Sequence, residues 1–243
     1  MTPDGSGSTG PPDLAATLAW MRHGTEVMLA AVTELRPRDF DVQILLPEWD
    51  RCSLVAHLAR NADALGRLLN WASTGVENPM YSSPRQRIDE IVASSRQSAP
   101  ALLDDLRAST ARLDEAVNQL PAHRWSSPVR SALGRSITAA EVPWLRAREV
   151  WLHAVDLNTT VKMADLPRDF LIALIDDVLA TRRARGELTD VTLWAADELA
   201  WRAPDGQSRE IVGDPSELGG WLTNRVSTDA PRFAALPALG RWI

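Results

Sequence analysis

The chain has 243 residues, a formal net charge of -6, 45% apolar and 24% charged residues, which is ordinary for a globular protein and long enough to bury a core in one or two domains. The acidic balance argues against nucleic acid or an anionic membrane surface as partner, and no apolar run approaches the roughly 20 residues of a membrane span. Cys52 is the one cysteine, which excludes an internal disulfide and a cysteine-rich zinc site and fits a reducing, cytoplasmic setting.

Residues 1–12 are rich in Gly, Ser, Thr and Pro, without the basic and apolar regions of a secretory signal, and are expected to be disordered. Asp13 can cap a first helix over 14–35, with Leu18, Met21, Thr25, Met28 and Val32 facing inward and His23 off that stripe. Pro37 ends it, and 38–48 shows no clear period. Asp50 can cap a second helix to about residue 72. Leu54, His57, Leu58, Asn61, Leu65 and Leu68 share its face, so His57 points inward with Asn61 one turn later. By itself an inward histidine is more often a hydrogen-bonded core residue than a ligand. Cys52 falls on another face and reads as an inert buried thiol.

Thr74-Gly75 stops the second helix, and 76–83 is a loop holding Pro79-Met80-Tyr81. Pro84 can open a third helix, with Arg87 near its start and Ile88 and Ile91 inward. Ser98 and Pro100 punctuate it before the pattern resumes through Leu103, Leu106, Leu113 and Val117 and stops at Pro121. His123, in the loop that follows, looks exposed. The next helix, over 140–157, carries the richest chemistry. Thr138 and Glu141 form a capping-box start, and Pro143 fits an early turn. Glu149 and His153, four residues apart, stack on one face with Val142, Leu145, Leu152 and Asp156. A carboxylate and an imidazole on an apolar face need partners, because an unpaired buried charge is costly. A plain Glu–His hydrogen bond would satisfy them, and so would a divalent metal.

Four long amphipathic helices with a long connection suggest a four-helix bundle over 13–160. Residues 159–167 read as a linker. A helix over 169–185 places Phe170, Leu174, Ile175 and Val178 inward. Short alternating segments at 190–195, 199–203 and 209–212 read as strands, the last two joined as a hairpin through Pro204-Asp205-Gly206. Gly213-Asp214-Pro215 leads into a helix over 216–225, and the tail after it looks irregular. Residues 166–243 thus read as a small α+β domain. The fold class is mainly α: a bundle followed by this small domain. No Gly-rich phosphate loop, nucleotide fingerprint or hydrolase elbow is present.

His57, Glu149 and His153 are then three inward ligand-type residues on two bundle helices. Two histidines and a carboxylate suit zinc with positions left for water or substrate, although Fe(II), Ni or Mn would accept the same set.

The segment Trp49-Asp50-Arg51-Cys52-Ser53-Leu54-Val55-Ala56-His57 resembles the W-x-R-x-x-L-x-x-H signature of DinB-like metal-binding bundles. The run from Asn70 to Tyr81, with Thr74-Gly75-Val76-Glu77-Asn78-Pro79-Met80-Tyr81, and the helix from Arg148 to Leu157 resemble the mycothiol-dependent maleylpyruvate isomerases. Gly213 to Leu218 and Asn224-Arg225 resemble that family's small C-terminal domain. The likeness runs from about Asp13 to Trp242. It implies that His57, Glu149 and His153 bind a divalent metal, zinc being the expected one, and that mycothiol is the thiol cofactor. Arg225 matches an arginine the family uses at its active site, and Arg87 could do similar work. Asn61 and Asp156 are near enough on their helices to orient a ligand.

The implied reaction is cis–trans isomerisation of maleylpyruvate to fumarylpyruvate, a step of gentisate catabolism. A thiolate adds to the conjugated alkene, the bond rotates, and the thiolate leaves. Arginines would pair with the substrate carboxylates and stabilise the enolate. Two other readings stand beside it: a mycothiol S-transferase acting on another electrophile, and a non-enzymatic metal-binding regulatory module. The expected partners are a small-molecule substrate and a low-molecular-weight thiol.

Overall fold

The computed structural model describes residues 12–44, 46–47, 49–195, 199–204, 208–225, 236, 239–240 and 242. The expectations for residues 1–11 and for most of the tail after Arg225 lie outside them. The chain divides into two compact units, Pro12–Thr160 and a second that begins at Val161. Among the described residues no helix is long and apolar enough to cross a membrane.

The first unit is helical. Asp13 accepts hydrogen bonds from the backbone N–H groups of Ala15 and Ala16 and starts α1, Leu14–Thr33. The buried side of α1 is Thr17, Trp20, Met21, Gly24, Met28, Ala31 and Val32, so Leu18 and Thr25 flank the stripe instead of forming it. Gly24 is where α1 meets the last helix of the unit: a Cβ there would stand 2.7 Å from Trp151 Nε1 and 2.8 Å from Val150 Cγ2. Trp151 Nε1 donates across this contact to the Trp20 carbonyl at 3.0 Å. A short 3-10 turn, Pro37–Asp39, interrupts the connection read as patternless.

Asp50 caps α2, Arg51–Thr74, by accepting from the Ser53 N–H, and Gly75 closes it in the left-handed conformation at φ 76°. What reads as one punctuated third helix is two: α3, Pro84–Ser95, and α4, Ala99–Gln119. Pro100 sits in the first turn of α4, where its missing N–H costs nothing, so the punctuation marks a new start and not a kink. Between α4 and the last helix lies a hairpin the sequence did not advertise, β1, Pro128–Arg130, and β2, Ser136–Thr138. Three-residue strands are too short to show a period; only Gly134, at φ 81°, marks the turn. The Thr138–Glu141 capping box forms as expected but opens a 3-10 turn, Ala139–Glu141, which passes into α5, Val142–Asp156. α1 packs on α5, α2 on α4 and on α3, and α2–α5 and α1–α4 contacts close the bundle. Burial of Leu54, Leu58, Leu65, Leu68, Leu102, Leu106, Val150 and Leu152 supplies its apolar core.

Arg51 ties the ends of two helices together. Its Nε donates to the Leu157 carbonyl at 2.8 Å, Nη2 to Asn158 and Nη1 to Asp39, both at 3.0 Å. The carbonyl end of α5 is thereby satisfied by a nearly buried cation, which the helix dipole also favours.

The second unit is α+β. α6, Arg168–Ala184, buries Phe170, Leu174, Ile175 and Val178 and packs on α7, Pro215–Leu222, which Asp214 caps. Three strands form a sheet in the order β4-β3-β5: β3, Val191–Ala195; β4, Ala200–Trp201; β5, Arg209–Gly213. The expected hairpin between the last two strands does not exist. β4 pairs antiparallel with β3, and β5 pairs parallel with the other edge of β3, setting Leu193 against Ile211. Turn residues announce a change of direction but not the neighbour. β4 is two residues long, and β3 offers β5 a five-rung ladder with buried Leu193 and Ile211 side by side. Asp205 and Gly206 of the expected turn lie outside the described residues.

Candidate metal centre

α2 and α5 pack on each other, and the helical period puts His57 on one and Glu149 and His153 on the other toward the shared interface. The ligand-type atoms of these three residues all lie within 4.8 Å of one another. Glu149 Oε2 sits between the two imidazoles, 2.9 Å from His57 Nε2 and 3.1 Å from His153 Nε2. The histidine rings stand nearly perpendicular, 5.1 Å apart between centroids. Both histidine side chains are 5% exposed, whereas Glu149 keeps 21%, so the cluster is sunk in the bundle but reached from the carboxylate side.

The two imidazoles are supported differently. His153 Nδ1 donates to Asp156 Oδ2 at 2.8 Å, and Asp156 is wholly buried. That bond fixes the ring so that Nε2 faces Glu149, the orientation a metal-binding histidine needs. His57 has Trp49 edge-on at 5.5 Å, and its Nδ1 lies 3.4 Å from Arg87 Nη2 on α3. Among the described residues no hydrogen bond joins Asn61 to either histidine: its Oδ1 accepts from Arg146 Nη1 at 2.8 Å, and the same nitrogen donates to the Leu58 carbonyl. Arg146 is completely buried, one turn before Glu149, and links α5 to α2 beneath the cluster. Nothing in the sequence singles it out, because an arginine among apolar residues signals nothing until its partners are known. Trp49 and Arg51 were visible only as letters of a signature; packing gives one to His57 and the other to the end of α5.

Protonation follows from these contacts. Burial pushes the Glu149 carboxyl up, but hydrogen bonds with His153 and His57 more than offset it and hold the group ionised well below the ordinary range. Burial likewise opposes charge on both imidazoles. For His57 it wins, and the pKa is lowered; for His153 the bonds to Asp156 and Glu149 win, and it is raised. His153, between two carboxylates, is thus the imidazole that holds its second proton more firmly. Arg146, desolvated, is lowered to about 10.

The remaining candidates sit as follows. Arg87 is brought to the cluster. Arg225 follows α7 in the second unit, where its N–H donates to the Gly220 carbonyl at 2.7 Å and its Nη1 to Thr223 at 3.0 Å. Cys52 is half-buried, 3.8 Å from Asp41 Oδ1, and desolvation first, then Asp50 and Asp41, push its thiol up to about 11.

A mainly helical protein that carries a buried two-histidine, one-carboxylate cluster on facing bundle helices belongs to the class of DinB-like bundles. The family model described as the mycothiol maleylpyruvate isomerase N-terminal domain matches residues 11–158. Two solved structures, a mycothiol-dependent maleylpyruvate isomerase and a histidine-to-alanine mutant of such an enzyme, are similar at TM-score 0.87. They share 32% and 31% identity, each over 95% of this chain and 98% of theirs. No curated protein matches by sequence. The chain belongs to the mycothiol-dependent maleylpyruvate isomerase family, a family of enzymes.

Proposed function

We propose that this protein is a metal- and mycothiol-dependent isomerase that converts maleylpyruvate to fumarylpyruvate. The observation that carries the metal reading is the convergence of His57, Glu149 and His153 within 4.8 Å, with Asp156 presetting one imidazole. The donor set suits a divalent ion of the zinc type, and His57 Nε2, His153 Nε2 and a Glu149 oxygen would hold it. A metal so held lowers the pKa of a thiol from its ordinary value near ~8.5, raising the thiolate fraction at neutral pH. The thiol supplies reversible conjugate addition, which turns the cis double bond into a rotatable single bond and is undone by elimination.

Cys52 does not serve as that thiol: a half-buried group with a pKa near about 11 is scarcely ionised at neutral pH. The need for an external thiol follows. Within this reading residues 13–160 are the metal-holding domain and 166–243 the small domain that contributes Arg225. Arg87, at the cluster, pairs with a substrate carboxylate, and the catalytic role of Arg225, stabilising enolate charge, rests on its match to the family's small-domain arginine. Trp49 and the surrounding apolar side chains keep water from the His57 side.

The test follows maleylpyruvate by absorbance with zinc-loaded protein, with and without mycothiol, counting free thiol before and after. Substrate loss with thiol conserved, abolished in His57→Ala, supports isomerisation. Thiol consumed mole for mole with substrate identifies an S-transferase instead. No reaction with metal bound removes the substrate assignment.

A further inference from the structure

Arg87 is a half-buried guanidinium that forms no ion pair among the described residues; its polar side-chain partner is His57 Nδ1, at 3.4 Å. A guanidinium has five N–H donors and no acceptor. It can bond to Nδ1 only if that nitrogen presents a lone pair, which leaves the ring proton of neutral His57 on Nε2. There it donates to Glu149 Oε2 at 2.9 Å, a consistent arrangement. It is the opposite of what ligation through Nε2 requires. A metal at Nε2 uses that lone pair and moves the proton to Nδ1, where it would meet another donor. His153 has no such conflict, since its Nδ1 faces a carboxylate. The cation is also repelled by a divalent ion on the far side of the ring.

We propose that Arg87 and the metal compete for His57: the guanidinium holds the imidazole in the tautomer that cannot ligate, and metal loading turns Arg87 away from Nδ1 to take a substrate carboxylate. Occupancy of the metal site and readiness of the anion site are then one equilibrium. By linkage each favours the other. The inference rests on the metal reading of His57, Glu149 and His153, and its signature is counterintuitive. Removing a residue beside the centre should tighten the metal, whereas loss of an ordinary supporting residue loosens it by about 10–100-fold.

The experiment strips metal from wild-type, R87M and R87Q proteins and titrates each with zinc against a chromophoric chelator at neutral pH. R87M is expected to bind zinc about tenfold more tightly than wild type, and R87Q at least as tightly as R87M, because its amide oxygen accepts the Nδ1–H. Nitrogen NMR of the metal-free proteins should show His57 as the Nε2–H tautomer in wild type and shifted toward Nδ1–H in R87Q. With zinc bound, fumarate as a dicarboxylate probe should bind R87Q about tenfold more weakly than wild type. Equal or weaker zinc binding by the variants overturns the competition; equal fumarate affinity overturns the carboxylate role. If neither wild type nor variants take up zinc, the metal reading itself is wrong.

Discussion

Asp156→Asn isolates the support of one ligand. The side chain keeps its shape and can still accept from His153 Nδ1, now 2.8 Å from Asp156 Oδ2, but it loses its charge. Charge-assisted hydrogen bonds are about twice as strong as neutral ones, and the carboxylate also makes the imidazole a more basic ligand. Replacing such a partner costs about 10–100-fold in metal affinity, or roughly 1.4–2.7 kcal/mol. The folded state should suffer less. Asp156 is 0% exposed, and an amide is far cheaper to bury than a carboxylate. Zinc affinity by chelator competition should therefore fall while the denaturation midpoint of the metal-free protein moves little. Unchanged zinc affinity, with His153 still required for binding, would refute the idea that Asp156 tunes the centre.

Arg225→Ala should cut turnover about 100-fold with zinc content unchanged, as loss of an oxyanion-type contact does; undiminished turnover removes Arg225 from the reaction. Gly24→Ala drives a methyl into Trp151 and Val150 and should cost about 1–3 kcal/mol in chemical denaturation; a smaller loss would mean that α1 slides on α5 without strain. pH should act oppositely on the two forms. His153, raised by Asp156 and Glu149 against burial, contributes stability fully present below about 6.5 and lost as pH climbs through its folded value; Glu149, depressed, contributes above about 4.5 and loses it as pH falls. Metal must displace the His153 proton, so the rise in melting temperature on adding zinc should grow from mildly acid to mildly alkaline pH, with proton release measurable in weak buffer. A zinc-induced shift that is flat with pH would contradict a proton held on His153.

How much was legible beforehand depends on how local the physics is. Caps, breakers and helical period act within a few residues, so Asp13, Asp50, Gly75 and Asp214 mark helix ends in the sequence and in the fold. The same period set His57 inward on one helix and Glu149 and His153 inward on another, and the motif resemblance led to the family in which the chain falls. What the sequence left undecided involves partners far apart along the chain. β5 chose β3 over β4 because strand neighbours are selected by buried contacts and not by the turn between them. Asn61, equally close to His57 by spacing, was claimed by Arg146 from 85 residues away. Arg87 came to His57 across 30 residues. Period and caps determined which side chains turn inward; only the packing of α2, α3 and α5 decided which of them meet, because distances between helices are set by side-chain interlocking that no single segment encodes.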